Sequence, residues 1–340
     1  MNKQGRGVGF IAVAGVLWGL NGLYVRVLSD AGMGPLSIVF VRYLCALAVL
    51  APAVSAASAQ AHRDILALRP EQVACCAGIG LFSNALGGVL SAYAIAQVGV
   101  SVTTVLLYTA PVFGCLLSWR LYGEALTKDK LRAIACNFAG VVLVVAGGGA
   151  LAGGASPWGL VAALGYGVTY SLLAVLSRPV ADTCHPLAVV YFGSLTVAAA
   201  LALPALGSGE LPLVLHPLPA LATLLYGAVS TVLANILYQR GVGSGVETSR
   251  VPVITSVEVA VSACVGTLVF GEPLSAGKAV GIGGVLASIV LMNAHANPGE
   301  VHGVRLMPSA HQLSMAYAAR TDLGTAVDDL RRQREDALGH

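Results

Sequence analysis

Charge is what this sequence has least of. Of its 340 residues only 10 % are Asp, Glu, Lys or Arg, against 56 % hydrophobic, and the mean hydropathy is +0.80. A soluble globular chain carries about 25 % charged residues, so this one cannot face water over its whole surface, and its solvent is lipid. Length alone would suggest two soluble domains, but composition overrides it. A cytosolic enzyme and a disordered chain are excluded. A nucleic-acid binder is excluded too, because a net charge of +3 supplies no basic stripe. Histidine is missing from the apolar runs: all seven sit in loops or tail, without ligand spacing. Neither HExxH nor a phosphate-binding P-loop occurs, so metal-dependent or ATP-driven chemistry finds no residues here. The seven cysteines form no CxxC and six lie inside apolar runs, which argues against a disulfide framework or zinc site. The 41 glycines follow no collagen period; small residues are expected where membrane helices pack closely. No cofactor and no metal is expected.

What is present is a series of long apolar runs. About 20 mostly apolar residues span a bilayer. Ten runs qualify: 8–28, 35–55, 73–96, 101–119, 131–149, 157–176, 186–206, 218–238, 249–270 and 276–293. Turn residues separate them at 29–34, 147–156, 207–217 and 241–245. Backbone polar groups in lipid must pair internally, which helices achieve. These runs lack the alternation of a β-barrel. Lys3 and Arg6 before an apolar run suggest a signal peptide, but the run is too long and ends in no small-x-small site. With the amino terminus cytoplasmic, sixteen of the 19 Lys and Arg fall on the cytoplasmic side and Lys278 alone on the other, Arg26 and Arg42 lying within spans. Both termini are therefore placed in the cytoplasm of a cell with this protein in its plasma (inner) membrane.

The chain also repeats itself. At an offset of 148 residues Trp18-Gly19 falls on Tyr166-Gly167, 27–29 on 175–177, Gly123-Glu124 on Gly271-Glu272, Leu126 on Leu274 and Lys130 on Lys278. Charged residues are scarce enough that the Gly-Glu and Lys matches carry weight. Each half then holds five helices, an odd number, so the second half enters the membrane from the opposite face, as inverted repeats of secondary transporters do. The expected fold is an all-α integral membrane protein of ten transmembrane helices in two inverted five-helix repeats. Residues 1–150 form the first repeat, 151–293 the second and 294–340 a cytoplasmic tail, where Leu323, Val327 and Leu330 follow helical spacing.

Two five-helix halves, each with an aromatic-Gly pair in its first helix and a Gly-Glu before its fifth, resemble the EamA-like family of the drug/metabolite transporter superfamily. The fourth helix of that family usually carries a proline, here Pro111. Its ninth often reads Glu-Pro, whereas here Glu258 is followed by Val259 and Pro252 sits earlier. The resemblance covers roughly 8–293. It implies a small-solute carrier, many members being exporters of amino acids or related metabolites, with a pocket lined by the first four helices of each half and the fifth and tenth peripheral.

Polar groups at bilayer depth need a reason. Glu258 lies near the midplane of the ninth span, as a protonatable coupling site, a partner for a substrate ammonium, or a neutral carboxyl that fixes packing. Arg42, about 10 Å inside the second span at 1.5 Å per residue, faces a substrate carboxylate, snorkels outward, or pairs with Glu258. Neutral polar residues fall into stripes at helical spacing: Trp18 and Asn21; their repeat mates Tyr166 and Thr169, with Tyr170 beside them; Asn84, Gly88 and Ser91; Thr104, Tyr108 and Pro111; Thr231, Asn235 and Tyr238; Thr255, Glu258 and Ser262. Each singly reads as a packing contact; together they suggest a polar cavity. The candidate substrate-binding residues are Trp18, Asn21, Arg42, Asn84, Tyr108, Tyr166, Tyr170, Asn235 and Glu258. Pro111 and Pro252 are candidate gating bends, since each removes a helix hydrogen bond. Gly15 with Gly19, and Gly277 with Gly281, read as close-packing pairs. Trp119 and Trp158 read as interfacial anchors. One Arg and one Glu suit an amino acid-like or neutral solute. The alternatives are a sugar-nucleotide or organophosphate cargo, which would want several cations, and a channel or non-transporting scaffold. No catalytic residue, and so no enzyme, is expected; the only partners are the solute, the bilayer and, if Glu258 couples, protons.

Overall fold

The computed structural model describes residues 3–56, 65, 67–146, 156–181, 183–270 and 275–294. The loop at 147–155, the segment 271–274 containing Glu272, and the tail from 295 lie outside the described residues. Among those described, every regular element is helical.

Among the described residues, seven helical stretches are long and apolar enough to cross a membrane: Gln4–Asp30, Pro35–Ser55, Pro70–Ser91, Pro157–Ala181, Pro186–Gly207, Pro217–Val242 and Thr248–Val269, with Ala279–Met292 a shorter apolar helix. Their outer surfaces are apolar: Leu203 and Leu268 are 84 % and 83 % exposed, as suits contact with lipid tails. Prolines open many of these helices (Pro35, Pro70, Pro157, Pro186 and Pro217), at the first turn where a missing N–H costs nothing. Trp119 and Trp158 are exposed near helix ends.

The third and fourth expected spans divide later than anticipated. Helix continues through Leu86–Leu107 and breaks at Tyr108 and Thr109, after which Ala110–Tyr122 begins. Pro111 cannot donate to the carbonyl of Leu107, four residues back. Thr109 instead ties down the turn, its N–H and its hydroxyl both donating to Leu106 O at 3.1 and 2.6 Å. Next comes Lys128–Ala146, whose first turns carry Lys128, Asp129, Lys130 and Arg132.

Irregularities recur at the offset read from the sequence. The Tyr108 break has its counterpart at Ser256, between Val251–Thr255 and Val257–Phe270. Two π-helical segments, Ile79–Ala85 and Tyr226–Leu233, lie 148 residues apart to within one position. Lys128–Ala146 and Ala276–Ala294 correspond end to end. Packing is reciprocal as well. Gly19 fits against Val261 and the Glu258 carbonyl, while Gly167 fits against Thr109 and the carbonyls of Leu106 and Leu107. The opening helix of each half thus lies on the fourth helix of the other. Lys128–Ala146 and Ala276–Ala294 cross so closely that a Cβ on Gly140 would come within 2.7 Å of Val285 N and 2.9 Å of Gly281 O. There Cys136 Sγ donates to Gly284 O, its own repeat mate, at 3.4 Å. The buried Asn137 amide donates to Ser256 Oγ at 2.6 Å and Ser288 Oγ at 3.1 Å, tying this helix pair to the break in the ninth span. A Cβ on Gly15 would lie 2.9 Å from Thr255 O, so the close-packing reading of the Gly15–Gly19 pair matches these contacts; of the Gly277–Gly281 pair, Gly281 is the member seen in such a contact.

Two buried apolar clusters dominate the interior. One gathers Ile11, Trp18, Ile79, Leu173, Tyr238 and Ile254; the other gathers Tyr24, Phe40, Tyr43, Val197 and Tyr226.

Candidate binding cavity

A cavity of about 140 Å³ among the described residues lies where these clusters meet: Trp18 and Leu173 come from one, Tyr43 and Val39 from the other. Eight of the nine sequence-derived candidates line it: Trp18, Asn21, Arg42, Asn84, Tyr166, Tyr170, Asn235 and Glu258. The ninth, Tyr108, reaches it through its hydroxyl, which donates to Glu258 Oε1.

Each side chain is placed by its local structure. Trp18 and Asn21 flank the break at Leu20 in the first helix. The Trp18 indole N–H donates to Ser230 O at 3.1 Å, and its ring lies 5.3 Å from that of Tyr238. A π turn widens the helix and frees carbonyls from its ladder, and Ser230 belongs to such a segment. Ser83 and Asn84 stand on the matching segment, where Ser83 Oγ donates to Thr169 O at 2.7 Å. Asn235 donates to Thr231 O at 2.7 Å. Asn21 Oδ1 is buried with no hydrogen-bond partner among the described residues.

Arg42 is held in an aromatic cage. Its guanidinium donates from Nε to Thr231 Oγ1 at 2.7 Å and from one terminal nitrogen to Tyr226 OH at 2.9 Å. It also lies over the rings of Tyr226 and Tyr43, at 4.6 and 4.9 Å from their centroids. Stacking on aromatic faces suits the planar, weakly hydrated guanidinium. Of the three readings of Arg42, pairing with Glu258 is not what the structure adopts, and no ion pair among the described residues includes either group. Glu258 sits in the first turn of Val257–Phe270, where a carboxylate complements the helix dipole. It faces Tyr108, while Tyr170 OH donates to Thr255 Oγ1 at 3.3 Å one turn earlier. Among the described residues the cavity therefore offers one cation, one carboxyl, phenols and three carboxamides, a set suited to a small polar solute.

Pro111 and Pro252 both sit in the first turn of a helix, and a Cβ on Gly114 would lie 3.0 Å from Pro252 Cγ, so these two helix starts nearly touch. Tyr43, Ser83, Leu173 and Tyr226 were not singled out from the sequence. The signal for Tyr43 was adjacency to Arg42; for Ser83, adjacency to Asn84. The side chains of Thr104 and Lys278 lie outside what is described. No group of three or more His, Cys, Asp and Glu able to hold a metal occurs among the described residues.

The profile of the EamA-like transporter family matches twice, over residues 5–146 and 157–294. An uncharacterized transporter of Archaeoglobus fulgidus is 24 % identical over 281 residues, which is 83 % of this chain and 94 % of that protein. A crystal structure superposes with a TM-score of 0.68 at 18 % identity, covering 85 % of this chain and 97 % of the other. At that identity the likeness is one of fold.

Proposed function

Because the chain belongs to the EamA-like transporter family, we propose that it is a secondary carrier that moves a small amino acid-like or neutral metabolite, as an exporter, by alternating access. The observation that carries this reading is the cavity itself, where Arg42 and Glu258 stand unpaired with each other across a ring of phenols and amides. A zwitterion meets both: its carboxylate at the guanidinium, its ammonium at the carboxyl. A sugar nucleotide or organophosphate would want more than the one cation the cavity provides. No catalytic step is assigned to any residue.

In this reading residues 1–150 and 151–293 are five-helix repeats of opposite orientation, giving ten spans, with both termini and the 294–340 tail in the cytoplasm and the protein in the plasma (inner) membrane. The recurrence of breaks, π segments and glycine contacts at the 148-residue offset supports the repeat, and the lopsided Lys and Arg distribution supports the orientation. The halves rock about the cavity and expose it to each side in turn, with bends at Pro111 and Pro252. Glu258 is the coupling residue: it takes a proton from one side and releases it to the other in exchange for solute.

Solute flux in proteoliposomes with and without an imposed pH gradient tests the coupling. Wild type accelerates under the gradient; Glu258→Gln, which keeps the shape and loses the titratable proton, does not. Equal gradient dependence in both proteins removes Glu258 from the coupling step.

A further inference from the structure

Away from the cavity, a polar cluster joins the turn after Ala110–Tyr122 to the start of the ninth expected span. Gly123 is left-handed, with φ 67°, a conformation that glycine adopts without a Cβ penalty. The turn it makes aims Glu124 at the 3-10 turn Thr248–Arg250. Both carboxylate oxygens are used: Thr248 N–H donates to Oε1 at 2.8 Å and Ser249 N–H to Oε2 at 2.9 Å. These are charge-assisted bonds to amides that a helical start leaves without partners. Lys130 braces the contact, donating to Ala125 O at 2.9 Å and lying 3.2 Å from Glu247, which also pairs with Arg250. Arg178 donates to Val246 O at 2.8 Å.

A second observation sets this contact apart from an ordinary strut. The hydroxyls of Ser118, Thr248 and Ser249 are buried within it and have no hydrogen-bond partner among the described residues; none of the three residues is more than 1 % exposed. Native interiors pair nearly all their buried polar groups, and a hydroxyl buried without a partner is destabilising relative to water. The joint is held by a bidentate carboxylate and opposed by three buried hydroxyls that water would satisfy on opening.

We propose that the Glu124 clasp is a releasable closure of this end of the protein, one that opens when the carrier turns. Opening exchanges the two amide–carboxylate bonds for hydration of three hydroxyls, and frees residues 247–256, which lead directly into Glu258. The proposal rests on the alternating-access reading above.

Cys115 provides a native reporter. Its thiol is buried at 2 % exposure and contacts Ser249 O at 3.9 Å, on the segment that Glu124 holds. Cys45, packed against Gly227 and outside the segment 247–256, is an internal reference. Purified protein is treated with a water-soluble maleimide, and modification of each cysteine is followed by peptide mass spectrometry. Glu124→Ala speeds modification of Cys115 by about tenfold or more, since it removes two charge-assisted bonds, and leaves Cys45 unchanged. Thr248→Val removes one opposing hydroxyl, so it slows Cys115 modification and raises the melting temperature while slowing solute exchange. Unchanged Cys115 in Glu124→Ala, a parallel rise at Cys45, or faster Cys115 modification in Thr248→Val overturns the clasp. If labelling behaves as expected while every variant and the wild type fail to move any solute, the clasp stands and the carrier reading falls.

Discussion

Gly19→Ala tests whether helix crossing at the cavity is as tight as the packing indicates. A Cβ built on Gly19 would lie 2.6 Å from Val261 Cβ, 2.8 Å from Val261 Cγ1 and 2.9 Å from the Glu258 carbonyl oxygen. Two of these neighbours are a Cβ and a main-chain oxygen, which cannot rotate aside, so the first helix and Val257–Phe270 must separate. Overpacking of this kind costs about 1–3 kcal/mol. Alanine also gains up to about 1 kcal/mol of helix propensity over glycine, which would mask a small penalty. Gly9→Ala removes that ambiguity. It makes the same substitution in the same helix, where a Cβ meets nothing within 4 Å, so the propensity gain largely cancels between the two. Thermal unfolding in detergent should place Gly9→Ala at or above wild type and Gly19→Ala below both, with about 1–3 kcal/mol between the variants. If Glu258 couples transport to protons as proposed above, then, because the displaced atom is its carbonyl, pH-gradient-driven flux should fall in Gly19→Ala by more than the stability loss explains, and stay near wild type in Gly9→Ala. A Gly19→Ala protein that melts at or above Gly9→Ala refutes the close crossing and the placement of Glu258 that depends on it.

Arg42→Lys keeps the charge but loses the planar fork that reaches Thr231 and Tyr226 together; in a thermal-shift screen of L-amino acids, stabilisation seen with wild type should weaken by about tenfold or more in concentration, and an unchanged titration rejects Arg42 as the carboxylate site. Glu210, in the loop before Leu211–Leu215, accepts from Gly34 N–H at 2.7 Å, and hydrogen bonds from Ser37 and from that amide hold its carboxyl below the ordinary value of 4.5. Its folded-state value is depressed, so the stabilisation is present above the unfolded value and disappears as pH falls through the folded one. Melting temperature should therefore drop more steeply on acidification below about pH 4.5 in wild type than in Glu210→Gln, and parallel curves would show that the contact contributes nothing.

Local spacing made much of the cavity legible, and long-range geometry hid the rest. Trp18 with Asn21, and Tyr166 with Tyr170, share helix faces at ordinary α periodicity, and polar residues in apolar helices have few places to go other than toward each other. Tyr226 escaped for a specific reason. It is five residues from Thr231, about 140° around an α-helix, and reads as facing elsewhere. The π segment brings positions five apart into line, so that Thr231 Oγ1 donates to Tyr226 O at 3.1 Å and both side chains meet Arg42. Glu124 was legible only as a marker of the repeat. Its partners Thr248 and Ser249 lie more than 120 positions away in sequence, and no periodicity encodes a contact of that kind. The break at Tyr108 and Thr109 falls later than the expected boundary at 97–100 because Gln97, Val98, Gly99 and Val100 continue the helix, and the chain from Leu86 onward first meets a residue with no N–H to donate at Pro111.

The recurrence at 148 residues extends to the frame and stops at the chemistry. Trp18 and Tyr166, and Asn21 and Thr169, correspond in kind, and both sit at the same crossings. Glu258, however, corresponds to Ala110 and Asn235 to Gly87. The helix Pro186–Gly207 contains no cation to match Arg42. In the carrier proposed above, the two bundles would exchange roles only if their packing surfaces were alike, and the duplicated glycine contacts, breaks and π segments fit that requirement. A bound solute, in contrast, would have to be gripped in one orientation, and a strictly symmetric cavity would offer two equal ones. One guanidinium at Arg42 and one carboxyl at Glu258 give the cavity a direction across the repeated frame. On that proposal the charged pair is where the two halves diverge, while the surfaces that would let them rock stay alike.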